Sequence, residues 1–230
     1  MDGSVIDYLE EYIEQIIMEE FKEPEYEQDK LSFMEEICKK YWNNSAVRRY
    51  CIDRYFERKD YDRVLQVLDE SIKLDKAYQG LILEYNQKKK EIYRLQGNKS
   101  AYIEQLWKLV LEQSAGNLDI YKELKAQYSE EEWLTKREEL FKKLPANAHI
   151  DRMYKEEKLY DRLLAYVLKS SGLYAVQTYE NVLKKEYPKQ ILNKYQDEVN
   201  KMASYTGNRK HYASLVALLR RMKRIKGGTA

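Results

Sequence analysis

The chain has 230 residues, 43% of them hydrophobic and 35% charged, with 41 Lys and Arg against 39 Asp and Glu for a formal charge of +2. That balance excludes the low-hydrophobicity, high-net-charge composition of disordered chains and gives no global attraction for nucleic acid. With 8 Gly and 3 Pro there are too few turn formers to separate many short strands, so the expected fold is all-α, built from helices with solvated Lys- and Glu-rich faces.

The first helix is expected from Ser4 to about Lys22. Val5, Leu9, Tyr12 and Ile16, with Ile6, Ile13 and Ile17, fall at helical spacing and form a wide apolar stripe. Ser4 suits the N-cap, acids crowd the first turns, and Pro24 ends the element. A second helix carries Phe33, Met34, Ile37, Cys38, Tyr41 and Trp42 on one side. Asn43-Asn44-Ser45 is a turn and cap, after which Val47, Tyr50, Cys51 and Tyr55 face inward. Asp60 then caps a helix striped by Tyr61, Val64, Leu65, Leu68 and Ile72. A longer helix spans Lys76 to Gln96, where Gly80 costs about 1 kcal/mol of propensity and implies a closely approaching neighbour. Gly97-Asn98 breaks it through the left-handed conformation.

Tyr102, Leu106, Leu109 and Val110 open the next helix, and Gly116-Asn117 breaks again. A short helix to Tyr128 leads into Ser129-Glu130-Glu131-Glu132, a capping box. Trp133, Leu140, Phe141 and Leu144 face inward before Pro145. His149 to Lys158 pairs with the helix beginning at Tyr160, which Ser171-Gly172 terminates. Leu173 to Glu186 follows, then a helix from Pro188 to Tyr205, with the proline in the first turn. After Gly207-Asn208 the last helix runs from Arg209 to about Ile225.

One stretch recurs. Leu159-Tyr160-Asp161-Arg162-Leu163-Leu164 nearly repeats Asp60-Tyr61-Asp62-Arg63-Val64-Leu65, with looser echoes starting at Tyr102 and Tyr212. Self-similarity of this kind marks stacked helical repeats. The expected architecture is an α-solenoid of antiparallel helix hairpins, about a dozen helices, in one domain over 1–230. Within it, 1–42 is an acidic hairpin, 43–206 the repeat hairpins, and 207–230 a basic helix and tail. Met1 to Glu36 holds 13 acids against Lys22 and Lys30, a net of −11, whereas Gly207 to Ala230 holds seven basic residues and no acid. Opposite charge at the two ends allows head-to-tail contact or two different partners.

Asp60 to Leu65 resembles the second-helix opening of a tetratricopeptide repeat. Val64 and Leu163 fill the position of a small residue, and the Tyr61–Tyr102 and Tyr160–Tyr212 spacings of 41 and 52 depart from the 34-residue period, so that family's peptide groove is not carried over. Leu159 to Gly228 also resembles the helical C-terminal region of bacterial SWIM zinc-finger proteins. The likeness lies in Tyr160-Asp161-Arg162-Leu163-Leu164, Tyr179 to Pro188, Asn208 to Tyr212 and Leu218 to Arg224. The resemblance implies a zinc-binding Cys-x-Cys…Cys-x-His module upstream. This chain has no Cys-x-Cys, and Cys38, Cys51, His149 and His211 lack zinc-ligand spacing. No cofactor is therefore expected here, and Gly227-Gly228-Thr229-Ala230 suggests the helical part of a longer protein.

Catalytic chemistry is not expected. No phosphate-binding Gly loop, nucleophile elbow or His-Glu-x-x-His is present, His211 and His149 have no orienting partner in sequence, and acid pairs such as Glu131-Glu132 fit a solvated first turn. Cys38 and Cys51 read as reduced core residues. Acids and no base precede Lys22, the opposite of a signal peptide. No apolar run approaches membrane-spanning length, so a cytoplasmic protein without membrane or small-molecule partners is expected. Asn43-Asn44-Ser45 and Asn98-Lys99-Ser100 match the glycosylation triplet, by chance in such a chain.

The 22 tyrosines are expected at half-wet helix seams, some on a concave face. The leading functional expectation is a non-catalytic scaffold for a protein or peptide. The alternative is nucleic-acid association through Arg209, Lys210, Tyr212, Arg220, Arg221, Lys223 and Arg224, with phosphates on the bases and a nucleobase on the ring. Against it, cations near a helix C-terminus complement the dipole.

Overall fold

The computed structural model describes residues 38–205 and 207–228, together with Tyr12, Ser32, Glu35 and Glu36. The helices expected over Ser4–Lys22 and on to Trp42 lie mostly outside the described residues. Among those described there is no strand, and the fold is all-α as composition implies. Among the described residues there are eleven α-helices, and the chain divides into two compact units, 1–148 and 149–230.

The first unit contains α1 (Ser45–Glu57), α2 (Tyr61–Leu74), α3 (Gln79–Leu95), α4 (Lys99–Lys108), α5 (Leu118–Lys125) and α6 (Glu130–Lys143). Connections of three or four residues, the longer one from α4 to α5 apart, favour antiparallel neighbours, and each of α1 to α4 packs on the helix that follows it. Caps stand where expected at Asn44, Asp60 and Ser129, and Asn98 and Asn117, read from the sequence only as breaks, cap the helices that follow. Asn44, Asp60, Asn98, Asn117 and Ser129 accept hydrogen bonds from first-turn amides, and Ser129 with Glu132 closes a full capping box. Val47, Cys51, Val64, Leu68, Tyr85 and Ile92 fill the core between α1, α2 and α3. Further along, Tyr121 meets Trp133 edge-on at 5.2 Å, seating α6 on α5.

Three details depart from expectation. The long third helix begins at Gln79 rather than Lys76, which places Gly80 in its first turn, and a Cβ there would meet nothing within 4 Å. No neighbour approaches it. Helix α4 passes into a π-helical turn at Leu109–Gln113, closed by Ser114 N–H donating to the Leu109 carbonyl at 2.8 Å. Finally, Cys38 and Cys51 are buried as expected but joined in a disulfide, with Cα atoms 6.6 Å apart, a span such bridges tolerate. The turn at Asn43-Asn44 brings Cys38 over α1, a crossing register that helical periodicity does not contain.

The second unit contains α7 (Ile150–Glu156), α8 (Tyr160–Lys169), α9 (Tyr174–Leu183), α10 (Pro188–Ala203) and α11 (Arg209–Met222). Each packs on the next, and α8 also meets α10. Its core is Leu163, Val167, Val176, Leu183, Ile191 and Tyr195, with Leu218 and Ile225 arriving from the C-terminal end. Tyr160 is half-buried against that core while Asp161 and Arg162 point outward. Pro188 occupies the first turn of α10, where its missing amide has no helical partner to lose.

Candidate interaction surface

The tyrosines explain themselves once the helices are in place. Tyr85 donates its hydroxyl to Asp75 at 2.7 Å, Tyr195 to Glu180 at 2.8 Å and Tyr187 to Asp161 at 2.5 Å, while Tyr102 donates to Glu123 and Tyr179 to Asp151. Each pair ties one element to another: ring in the seam, hydroxyl on a carboxylate. Desolvation and the neighbouring carboxylate push the Tyr102 hydroxyl up to about 12. These phenols are hydrogen-bonding struts between elements of the fold.

Arg48, which no sequence motif singled out, is fully buried in α1. Its guanidinium donates to Ser71 Oγ at 3.0 Å, to the Trp42 carbonyl at 2.5 Å and to Asp75 Oδ2 at 2.5 Å. One side chain thereby satisfies the turn before α1, the last turn of α2 and the α2–α3 connection. Lys194 does similar work in the second unit, donating to the Ser170 carbonyl at 2.5 Å just beyond the end of α8. Among the described residues no group of three or more His, Cys, Asp and Glu side chains is placed to hold a metal, and no helix is long and apolar enough to cross a membrane.

A cleft of about 470 Å³ opens between α1 and α3, walled by Arg49, Asp53, Glu84, Lys88 and Glu91. Arg49 stands 3.9 Å from Glu84 and Lys88 3.7 Å from Asp53. Lys88 Nζ also lies 3.8 Å over the Phe56 ring. Two bases and three acids, already facing one another, leave the cleft without a preference for either sign of ligand.

Helix α11 is different. Asn208 caps it, accepting from His211 N–H at 3.0 Å. Gly207 leaves space for the imidazole, since a Cβ there would fall 2.2 Å from the ring. The His211 Nε2 lies 3.0 Å from the Met202 carbonyl, fastening α11 to the end of α10. Leu215 and Leu218 point into the unit. Arg221, a member of the sequence-derived basic set, is also turned inward: it donates to Glu180 and, at 3.2 Å, to the Gln177 carbonyl. Burial pushes the Glu180 carboxyl up, but hydrogen bonds from Arg221, Tyr195 and Lys184 outweigh it and hold the group below its ordinary value.

The outward face of α11 carries Tyr212, Val216 and Leu219, exposed by 51%, 45% and 48%. Their spacing of four and three places them in one strip. Arg209, Lys210, Arg220, Lys223 and Arg224 are exposed too. At 100° per residue, Arg209 and Arg220 line the strip's edge on the side away from the core, and Lys223 and Arg224 follow in the turn just beyond the helix. Arg209 and Lys210 occupy the first turn, where the helix dipole disfavours cations, so dipole complementarity accounts only for the bases at the other end. Sequence reasoning found these cations; it did not see that apolar residues run between them.

No protein-family model matches the chain, and a search of curated proteins found no significant relative.

Proposed function

We propose that the chain is a non-catalytic interaction scaffold, in which stacked hairpins hold the outer face of α11 ready for a protein partner, specifically an acidic amphipathic helix. The observation that carries this reading is the exposed strip of Tyr212, Val216 and Leu219 with a basic margin. Contiguous exposed apolar residues rimmed by charge are typical of docking surfaces, and a helix laid in such a strip reads its anchors at three- and four-residue spacing. Asp75, Glu123 and Glu180 are each engaged by Tyr, Arg or Lys in helix-to-helix contacts, which favours a scaffold over an enzyme.

The test is a titration of labelled acidic amphipathic helical peptides, read by fluorescence anisotropy. Wild-type protein binds them and the double variant Val216→Asp/Leu219→Asp does not, while a scrambled peptide of equal charge binds neither. Equal binding of the scrambled peptide would show charge alone at work and overturn the reading.

The alternative, nucleic-acid association through the exposed Arg209, Lys210, Arg220, Lys223 and Arg224 with Tyr212, is favoured by their placement on α11 and the turn that follows it. It predicts single-strand binding that weakens steeply with salt, and absence of binding at low salt ends it. The likeness to SWIM zinc-finger proteins adds a further proposal: the chain is the helical part of a longer protein, testable by reading the gene upstream for Cys-x-Cys…Cys-x-His.

A further inference from the structure

We infer that the occupant of the α11 strip is the acidic N-terminal segment of a second copy of this chain, so that copies associate head to tail. The inference rests on the proposal that α11 docks an acidic amphipathic helix, and it names that helix. Three observations meet. The strip of Tyr212, Val216 and Leu219 lies exposed beside a basic margin. The residues from Met1 to Glu36 carry a net charge of −11, and those from Gly207 to Ala230 seven bases and no acid. The apolar positions from Val5 to Ile17 repeat at helical spacing, and Tyr12, the described residue among them, is helical with 53% of its surface exposed. Helix α11 therefore presents an apolar strip edged with cations, and the amino-acid sequence from Val5 to Ile17 spells an apolar stripe edged with acids. Burying both strips removes apolar surface from water, and opposite charges steer the pairing and disfavour self-pairing of either face. The two faces are different surfaces of one chain, so the contact is heterologous: every open assembly keeps one free donor at one end and one free acceptor at the other, and association continues beyond a dimer unless the rotation closes a ring.

The experiment is sedimentation velocity on the full chain over a hundredfold concentration range, at low and high salt, with two variants. Val216→Asp/Leu219→Asp removes the acceptor strip, and Leu9→Asp/Ile16→Asp removes the donor stripe. Circular dichroism and a thermal melt verify that each variant folds. Wild type is expected to grow in mass with concentration and to dissociate in high salt. Each variant alone stays monomeric, and an equimolar mixture forms a 1:1 dimer that grows no further, because it contains one intact donor and one intact acceptor. A wild type that is monomeric throughout, a variant that self-associates like wild type, or a mixture that stays monomeric each overturns the inference. A synthetic peptide of residues 4–22, titrated against the donor-less variant, separates the two readings. Binding of acidic helices in general without self-association leaves the α11 docking face standing and removes only its assignment to a second copy.

Discussion

The turn before α2 and the turn before α8 were built to the same backbone plan and fastened differently. In the first, Lys59 takes φ 60 and the amides of Lys59 and Asp60 donate to the carbonyls of Phe56 and Tyr55; in the second, Lys158 takes φ 55 and the amides of Lys158 and Leu159 donate to Lys155 and Tyr154. Gly97 and Asn98 make the same pair of bonds to Arg94 and Tyr93. This is the Schellman closure, and in all three places the outer carbonyl belongs to a tyrosine. The cap that follows is not shared. Asp60 and Asn98 receive first-turn amides, whereas Leu159 offers no side-chain acceptor. The aspartates two residues further on diverge as well, Asp62 accepting from Gln96 and Asp161 from Tyr187. The hairpin is thus set by backbone geometry and an apolar register, and the polar fastenings were fitted separately to each unit.

The largest difference between the units is how their main ion pairs are sealed. Arg48–Asp75 is almost wholly excluded from solvent, while Arg221 keeps about a third of its side chain exposed beside buried Glu180. Arg48→Ala leaves Asp75 buried with the Tyr85 hydroxyl but without its cation, so a loss of about 3–5 kcal/mol is expected in denaturant unfolding. A loss under 1 kcal/mol would mean that the node is dispensable. The disulfide belongs to the first unit alone. Its short loop predicts that Cys51→Ser costs about 3 kcal/mol, and addition of a reductant should lower the melting temperature of wild type while leaving that of the variant unchanged.

In the second unit, Arg221→Ala removes a charge-assisted hydrogen bond and is expected to cost about 1–2 kcal/mol. The same contact predicts a pH dependence. Glu180 is held below its ordinary value, so its contribution is present above the unfolded carboxylate range and is lost as pH falls through the folded value. Acid should therefore loosen α11 in wild type and have less effect in Glu180→Gln, as read by amide exchange at Leu215 and Leu218. The smallest expected effect tests the shared turn itself. Lys59→Gly or Lys158→Gly relieves a left-handed lysine and should stabilise by about 0.5–1 kcal/mol, while Gly97→Ala should destabilise by a similar amount. If the lysine variants instead lose stability, side-chain contacts rather than backbone strain govern these turns.

Much of this was legible in one dimension. Helix starts at Asn44, Asp60, Asn98, Ser129 and Asn208, the break at Gly97, the proline in the first turn of α10 and the inward stripes of α1, α2 and α8 depend on residues within about four positions of one another, and local chemistry decides them. The basic residues of α11 were equally visible. Their arrangement was not: whether Arg221 faces Glu180 or solvent depends on where α9 lies, 41 residues away in sequence. For the same reason the tyrosines could be counted but not paired with Asp75, Glu123, Asp151 or Glu180, and nothing local singles out Arg48.

The amino-acid sequence alone determined an all-α chain of short hairpins and the places where most of them start, because caps, left-handed turns and apolar periods act over a few residues. Tertiary structure decided the Cys38–Cys51 bridge, the buried Arg48 node, the inward turn of Arg221 and the exposure of Tyr212, Val216 and Leu219. These require distant helices to cross at a particular register, and a 3.6-residue period says which face of a helix is apolar without saying what will cover it.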